Sequence, residues 1–236
     1  MVIAGLQKMT LLDYPGKVAC TVFLQGCNFR CPFCHNSDLL GNRGPEPIPE
    51  ETLLAFLKKR VGLLDAVCVT GGEPTLQKDL RGLLERIKAL GYLVKLDTNG
   101  GKPDVLKELV EAGLVDYVAM DIKNCPSRYG ETAGVPNMDL SRIEQSIRYL
   151  LEGHVAFEFR TTVAQELHGV PEMEDIGKWL TALSPEKKCE KFFLQPYVDR
   201  DSVLMGGLHT PTAEELRKMA ETLKPYVQAV SIRTLD

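Results

Sequence analysis

The sequence predicts an α/β fold on a mainly parallel sheet, arranged as an open, partial (β/α)6 barrel. Three observations point there. Short apolar runs rich in β-branched residues recur along the chain, one-sided helical stripes fall between them, and the repeat is roughly 25–40 residues long. A doubly wound open sheet is the alternative arrangement. Both place ligands at the carboxyl ends of the strands.

The strand-like runs are Val18–Leu24, Ala66–Val69, Leu93–Leu96, Tyr117–Met120, Val155–Phe159, Phe192–Leu194 and Val227–Ile232. Most are continuously apolar, the pattern of strands covered on both faces. Between them, Leu53, Leu54, Leu57, Val61 and Leu64 make one helical stripe. Leu76, Leu80, Leu83, Leu84, Ile87 and Leu90 make a second, and Leu140, Ile143, Ile147, Leu150 and Leu151 a third. Gly91, Gly113 and Gly153 stand where helices should end, and Pro103, Pro171 and Pro211 near where they should begin. The loop Gly41–Pro49, rich in Gly and Pro, reads as an ordered excursion, so residues 1–236 are expected to form one domain.

Apolar residues make up 44% of the 236, enough for a sizeable core. Lys and Arg number 28 against 32 Asp and Glu, a net charge of -4 that does not favour nucleic acid as a partner. No apolar run reaches membrane-spanning length, and Met1–Thr10 lacks the basic start and long apolar stretch of a signal peptide. A cytoplasmic protein with no membrane partner is therefore expected. Seven cysteines cannot all pair internally, and clustered cysteines in a reducing compartment more often bind metal or react.

The cluster is Cys27, Cys31 and Cys34, directly after the first predicted strand. Three thiolates within eight residues suit one metal centre. A [4Fe–4S] cluster usually takes four cysteines, so three leave one iron open to an outside ligand. A zinc site with His35 as fourth ligand is the alternative, although adjacent ligands at 34 and 35 fit poorly around one tetrahedral ion.

Polar residues mark the later strand ends. In Thr70-Gly71-Gly72-Glu73-Pro74, the glycines let the backbone approach a ligand, and Glu73 suits an ammonium; an ordinary strand–helix turn is the alternative. Asp97, Thr98 and Asn99, ahead of Gly100, suit a ribose, a carboxylate or a cation, or else an Asx turn. Asp121 and Lys123 sit so close to apolar strand residues that they must face solvent or pair. Arg160 suits a carboxylate, either a ligand's or that of Glu158. Cys20 and Cys68 fall in apolar strands and read as inert core residues; Cys125 follows the fourth strand and reads as structural, with an approach to the site as the alternative; Cys189 is isolated. His154, His168 and His209 have no partners at ligand spacing and read as surface or turn residues.

The C-x3-C-x2-C spacing, with Phe33 just before the third cysteine, resembles the radical S-adenosylmethionine superfamily. The resemblance implies a barrel of the radical SAM type and one [4Fe–4S] cluster, its open iron chelated by the amino and carboxylate groups of S-adenosylmethionine. Phe33 would contact the adenine. Gly71, Gly72, Glu73 and Pro74 are similar to the GGEP motif that holds the methionine amino group. Asp97, Thr98, Asn99, Asp121 and Lys123 resemble strand ends of glycyl-radical activases, where matching residues line the S-adenosylmethionine site and can include a monovalent cation. Arg160 would reach the methionyl carboxylate and Gln195 the ribose.

The run Gly5–Gly16, its continuation through Val18–Cys27, and Cys34-His35-Asn36 are similar to anaerobic ribonucleoside-triphosphate reductase activating proteins. The implied activity is reductive cleavage of S-adenosylmethionine to a 5′-deoxyadenosyl radical, which takes hydrogen from a glycine of a partner glycyl-radical enzyme. No second cysteine cluster is present, so the electron is expected from an external flavodoxin or ferredoxin. The competing readings are a radical enzyme acting on a small molecule, such as a 7-carboxy-7-deazaguanine synthase-like protein, and a non-catalytic iron–sulfur or zinc module.

Overall fold

Eight strands form a single sheet whose order follows the chain. They are β1 (Ile3–Thr10), β2 (Ala19–Leu24), β3 (Ala66–Gly71), β4 (Leu93–Thr98), β5 (Tyr117–Asp121), β6 (Ala156–Val163), β7 (Lys191–Pro196) and β8 (Ala229–Ile232). The computed structural model describes residues 1–41, 46–200 and 202–233, so the middle of the Gly41–Pro49 loop lies outside the described residues.

β1 runs antiparallel to β2, while the pairs β2–β3, β3–β4, β6–β7 and β7–β8 are parallel. The α/β class and the mainly parallel sheet are as expected. β1 is an addition: its outer half, Gln7, Lys8 and Met9, is exposed and polar enough to hide an edge strand from an apolar-run reading.

The residues divide into two compact units. One comprises Met1–Asn28, Asp38–Thr98 and Asp104–Ala119; the other comprises Phe29–Ser37, Asn99–Pro103 and Met120–Asp236. In the first unit, the helices are α1 (Glu50–Arg60), α2 (Leu80–Ala89) and α3, which starts at Pro103 and ends at Glu111. Side chains of both parities along β2 are buried: Cys20, Val22 and Leu24 at 0% exposure, Thr21 at 2%. That explains the unbroken apolar run. Leu80, Leu83, Leu84 and Ile87 of α2 are buried, each worth about 1.5–3 kcal/mol for leaving water. The stripe through α1 stops short: Val61 lies beyond the helix end and is exposed. Gly91 ends α2 with φ +88° and Gly113 follows α3 with φ +67°, conformations that favour glycine.

The second unit carries α4 (Tyr129–Ala133), α5 (Ser141–Leu151), α6 (Val170–Leu183) and α7 (Ala213–Leu223). The third stripe is α5, with Ile143, Ile147, Leu150 and Leu151 buried. Thr212 caps α7, its hydroxyl accepting from Glu215 N while Glu215 reaches back to Thr212 N. α4 is held in place by Asn124, which is fully buried; its amide donates to Thr132 Oγ1 at 2.8 Å and to Leu167 O at 2.9 Å.

Candidate functional site

In the first unit, the polar residues gather where β2, β3 and β4 end. β2 finishes at Leu24 and leads through Gly26 to Cys27. β3 finishes at Gly71, and the backbone there lies against the end of β2. A Cβ on Gly71 would stand 2.3 Å from Leu24 O, and one on Gly72 would stand 2.1 Å from Gly26 O. Glu73 N donates to Gly26 O at 2.8 Å, closing this approach. The two glycines therefore serve chain-to-chain packing beside Cys27.

Glu73 is 1% exposed. Its Oε1 accepts from Thr75 N at 3.1 Å, Thr75 Oγ1 at 2.5 Å and Thr98 Oγ1 at 2.8 Å. Burying a carboxylate is costly unless its lone pairs are met, and here three donors converge on one oxygen. The turn reading also holds, because the bond from Thr75 N caps the short 3-10 turn Pro74–Leu76. Asp97 follows on β4 and pairs with Lys95 two residues earlier. Sequence reasoning missed Lys95; the signal was a lysine inside an apolar run.

The second unit holds Cys31, Cys34 and their surroundings. Arg30 N donates to Ala133 O at 2.8 Å and Met205 N to Pro32 O at 3.1 Å, fixing the segment at both sides of Cys31. Cys34 N donates to Cys31 O at 3.1 Å. Ser37 Oγ donates to Ser202 O, and Ser202 Oγ returns a bond to His35 O. Burial pushes the Cys34 thiol up, opposed by the backbone at Asn36 and by the cations Lys123 and Arg30.

Asp121, Lys123 and Arg160 form one network. Lys123 Nζ donates to Asp121 Oδ2 at 2.9 Å, and Arg160 contacts Asp121 Oδ1 through Nε at 3.1 Å and its terminal nitrogen at 3.0 Å. Burial raises the Asp121 carboxyl, but Lys123 and Arg160 outweigh it and hold the pKa at about 2. The same pairing, aided by Cys31, keeps the Lys123 ammonium charged despite burial. Arg160 thus pairs with Asp121, whereas Glu158, the internal partner weighed from the sequence, pairs with Arg233 at 3.1 Å.

Lys123 Nζ also stands 5.8 Å from the centre of the Phe33 ring, within cation–π range. Phe33 is buried, with the His168 ring centre 6.3 Å away. His168 corrects the surface reading: it is 3% exposed, its Nδ1 accepts from Ala164 N at 3.2 Å, and Nε2 meets Lys123 O at 2.8 Å. Burial lowers its pKa, so the ring stays neutral and Nε2 donates. His154 and His209 are exposed and pair with Glu152 and Glu166. Asn99 makes the Asx turn, its Oδ1 accepting from Gly101 N at 2.8 Å. Gln195 is half-buried on β7 opposite Thr162.

The remaining cysteines are core residues. Burial pushes the Cys20 thiol up to about 12 and drives Cys68 higher still. Cys125 lies 3.3 Å from Ser127 Oγ, and Cys189 Sγ meets Lys191 O at 3.1 Å with its pKa raised by burial to about 12.

The cysteine motif carries one histidine, His35, directly after Cys34. His35 Nε2 donates to Val198 O at 2.8 Å and burial lowers its pKa, so the ring is held with its lone pair on Nδ1. Among the described residues, no three His, Cys, Asp or Glu side chains are gathered closely enough for one metal ion. A four-iron cluster does not ask for that, because each thiolate binds a different iron.

Comparison with known proteins agrees with this chemistry. The sequence profile of the Radical SAM superfamily matches residues 21–191. A Methanocaldococcus jannaschii protein assigned as a glycyl-radical enzyme activating enzyme is 32% identical, over 99% of this chain and 96% of its own length. The 7-carboxy-7-deazaguanine synthase of Thermococcus kodakarensis is 30% identical, over 64% of this chain and 66% of its own. Streptococcus suis SuiB shares the fold with a TM-score of 0.68 at 18% identity, over 91% of this chain and 48% of that one. Among the described residues no helix is long and apolar enough to cross a membrane. This chain belongs to the Radical SAM superfamily.

Proposed function

We propose that this chain is a cytoplasmic activase that generates a glycyl radical on a partner enzyme, an anaerobic ribonucleoside-triphosphate reductase, with S-adenosylmethionine as co-substrate. The observation that carries the reading is likeness to a glycyl-radical enzyme activating enzyme along 99% of the chain. The choice of reductase rests on Gly5–Gly16 and the run through Cys27. The synthase likeness, at 64% of the chain, covers less of it.

Cys27, Cys31 and Cys34 would hold a [4Fe–4S] cluster. When bound and reduced by a flavodoxin or ferredoxin, it supplies the electron that cleaves S-adenosylmethionine to methionine and the 5′-deoxyadenosyl radical, which takes a glycine hydrogen. Glu73, held by Thr75 and Thr98, would accept from the methionine ammonium, with Gly71, Gly72 and Pro74 shaping the backbone around it. Phe33 would set the adenine, its ring fixed beneath Lys123. Asp121 orients both Lys123 and Arg160, which would face the carboxylate, while Asn99 and Gln195 would reach the ribose. Within each unit these side chains are held by the protein's own bonds, Glu73 by Thr98 and both Lys123 and Arg160 by Asp121.

The test is to incubate the anaerobically reconstituted protein, reductant and S-adenosylmethionine with anaerobic ribonucleoside-triphosphate reductase and record the electron paramagnetic resonance spectrum. A glycyl doublet is expected. Its absence, together with turnover of a small heterocycle without any partner protein, would transfer the assignment to the synthase-like reading.

A further inference from the structure

Lys95 and Asp97 form an ion pair inside the first unit, and the pair bears on whether Asp97, one of the strand-end residues that suit a cation, takes the monovalent ion that the resemblance allows. The two residues are separated by one position on β4, so their side chains project from the same face of the strand. The Lys95 side chain is 2% exposed and that of Asp97 is 16% exposed, and Lys95 Nζ meets Asp97 Oδ1 directly. Lys95 is among the largest fully buried side chains of the protein.

The neighbours on this face explain why the ammonium depends on Asp97. In register, Lys95 lies opposite Cys68 and Cys68 opposite Thr21. The Cys68 thiol is held neutral by burial, and the Thr21 hydroxyl donates to Asp13 at 2.5 Å. The Asp13 carboxylate is engaged by Thr21, and the negative charge that Lys95 contacts directly is that of Asp97. A buried ammonium without a counter-charge is costly, and so is a buried carboxylate. Each neutralises the other. A metal cation at Asp97 would then meet a fixed positive charge on a side chain that is 2% exposed and so little screened by solvent. The expected cation does not fit the residues present.

We infer that Lys95 is a built-in cation: its ammonium supplies at Asp97 the positive charge that a monovalent metal ion would otherwise bring, and the protein needs no sodium or potassium there. The pair itself stands on the geometry of β4. Only its consequence for S-adenosylmethionine binding rests on the proposed function.

The test uses full-length, cluster-free protein, so it does not depend on the reaction. Thermal unfolding is followed in tetramethylammonium chloride and in potassium or sodium chloride at equal ionic strength. Wild type is expected to unfold at the same temperature in all three. Lys95→Met is expected to fall by on the order of 10 °C in tetramethylammonium chloride and to regain part of that loss in potassium or sodium. The double variant Lys95→Met/Asp97→Asn removes both charges and is expected to be more stable than the single variant and indifferent to the salt. It carries the test if Lys95→Met does not fold. Stabilisation of wild type by potassium or sodium over tetramethylammonium would overturn the inference. So would a double variant no more stable than Lys95→Met.

Discussion

The Thr98 hydroxyl donates to Glu73 Oε1 at 2.8 Å, tying the end of β4 to the turn after β3 through a carboxylate that is 1% exposed. Thr98→Val keeps the shape and removes the donor. A buried charged acceptor that loses one partner costs about 1–3 kcal/mol. Urea unfolding of the apo-protein should show a lowered midpoint and an unfolding free energy reduced by that amount, and calorimetry should show weaker S-adenosylmethionine binding. An unchanged midpoint would mean that the hydroxyl does not support Glu73.

Gly72→Ala should damage the site through the backbone alone. The new methyl would stand 2.1 Å from Gly26 O, a main-chain atom of the segment that leads into Cys27. Overpacking of this kind costs about 1–3 kcal/mol. Reconstitution should yield less iron per chain than wild type. Wild-type stability and iron content together would show that the β2 and β3 ends can separate freely.

Asp121 gives a pH signature in the acid range. Its folded pKa of about 2 lies below the ordinary 3.8, because Lys123 and Arg160 outweigh burial. Its contribution is therefore full above pH 3.8 and is lost as pH falls towards about 2. The shift is worth at most about 2 kcal/mol. The difference in unfolding free energy between wild type and Asp121→Asn should shrink across that window. A difference that stays constant would disprove the pairing as its source.

His168 acts nearer neutrality with the same sign. Burial lowers its pKa from 6.5, so the folded protein resists protonation that the unfolded chain accepts. Its contribution is full above pH 6.5 and declines as pH drops below it. His168→Gln should flatten that part of the stability profile. Nuclear magnetic resonance of the ring should show a neutral imidazole at pH 6.5; an imidazolium there would contradict the buried geometry.

Much of the fold was legible because parallel strands buried on both faces leave unbroken apolar runs, as in Val18–Leu24 and Tyr117–Met120. The placement of the cysteine loop and of Gly71 to Pro74 at the ends of β2 and β3 was legible from their position after apolar runs. What escaped notice depends on long-range geometry. β1 is an edge strand with an exposed outer half, so its pattern is mixed. His168 looks like a loop residue until the chain folds it against Lys123 O. Arg160 was given Glu158 as an internal partner by local spacing, but Asp121, 39 residues away, reaches it across the sheet. Lys95 reads as a defect in an apolar run until its pairing with Asp97 is seen.

Chromatography of S-adenosylmethionine cleavage tests the central claim most directly. Anaerobically reconstituted, reduced wild type should release 5′-deoxyadenosine and methionine, and Cys27→Ala should release neither while retaining its fold by circular dichroism. A Cys27→Ala variant that cleaves at the wild-type rate, or a wild type that binds zinc and cleaves nothing, would contradict the account.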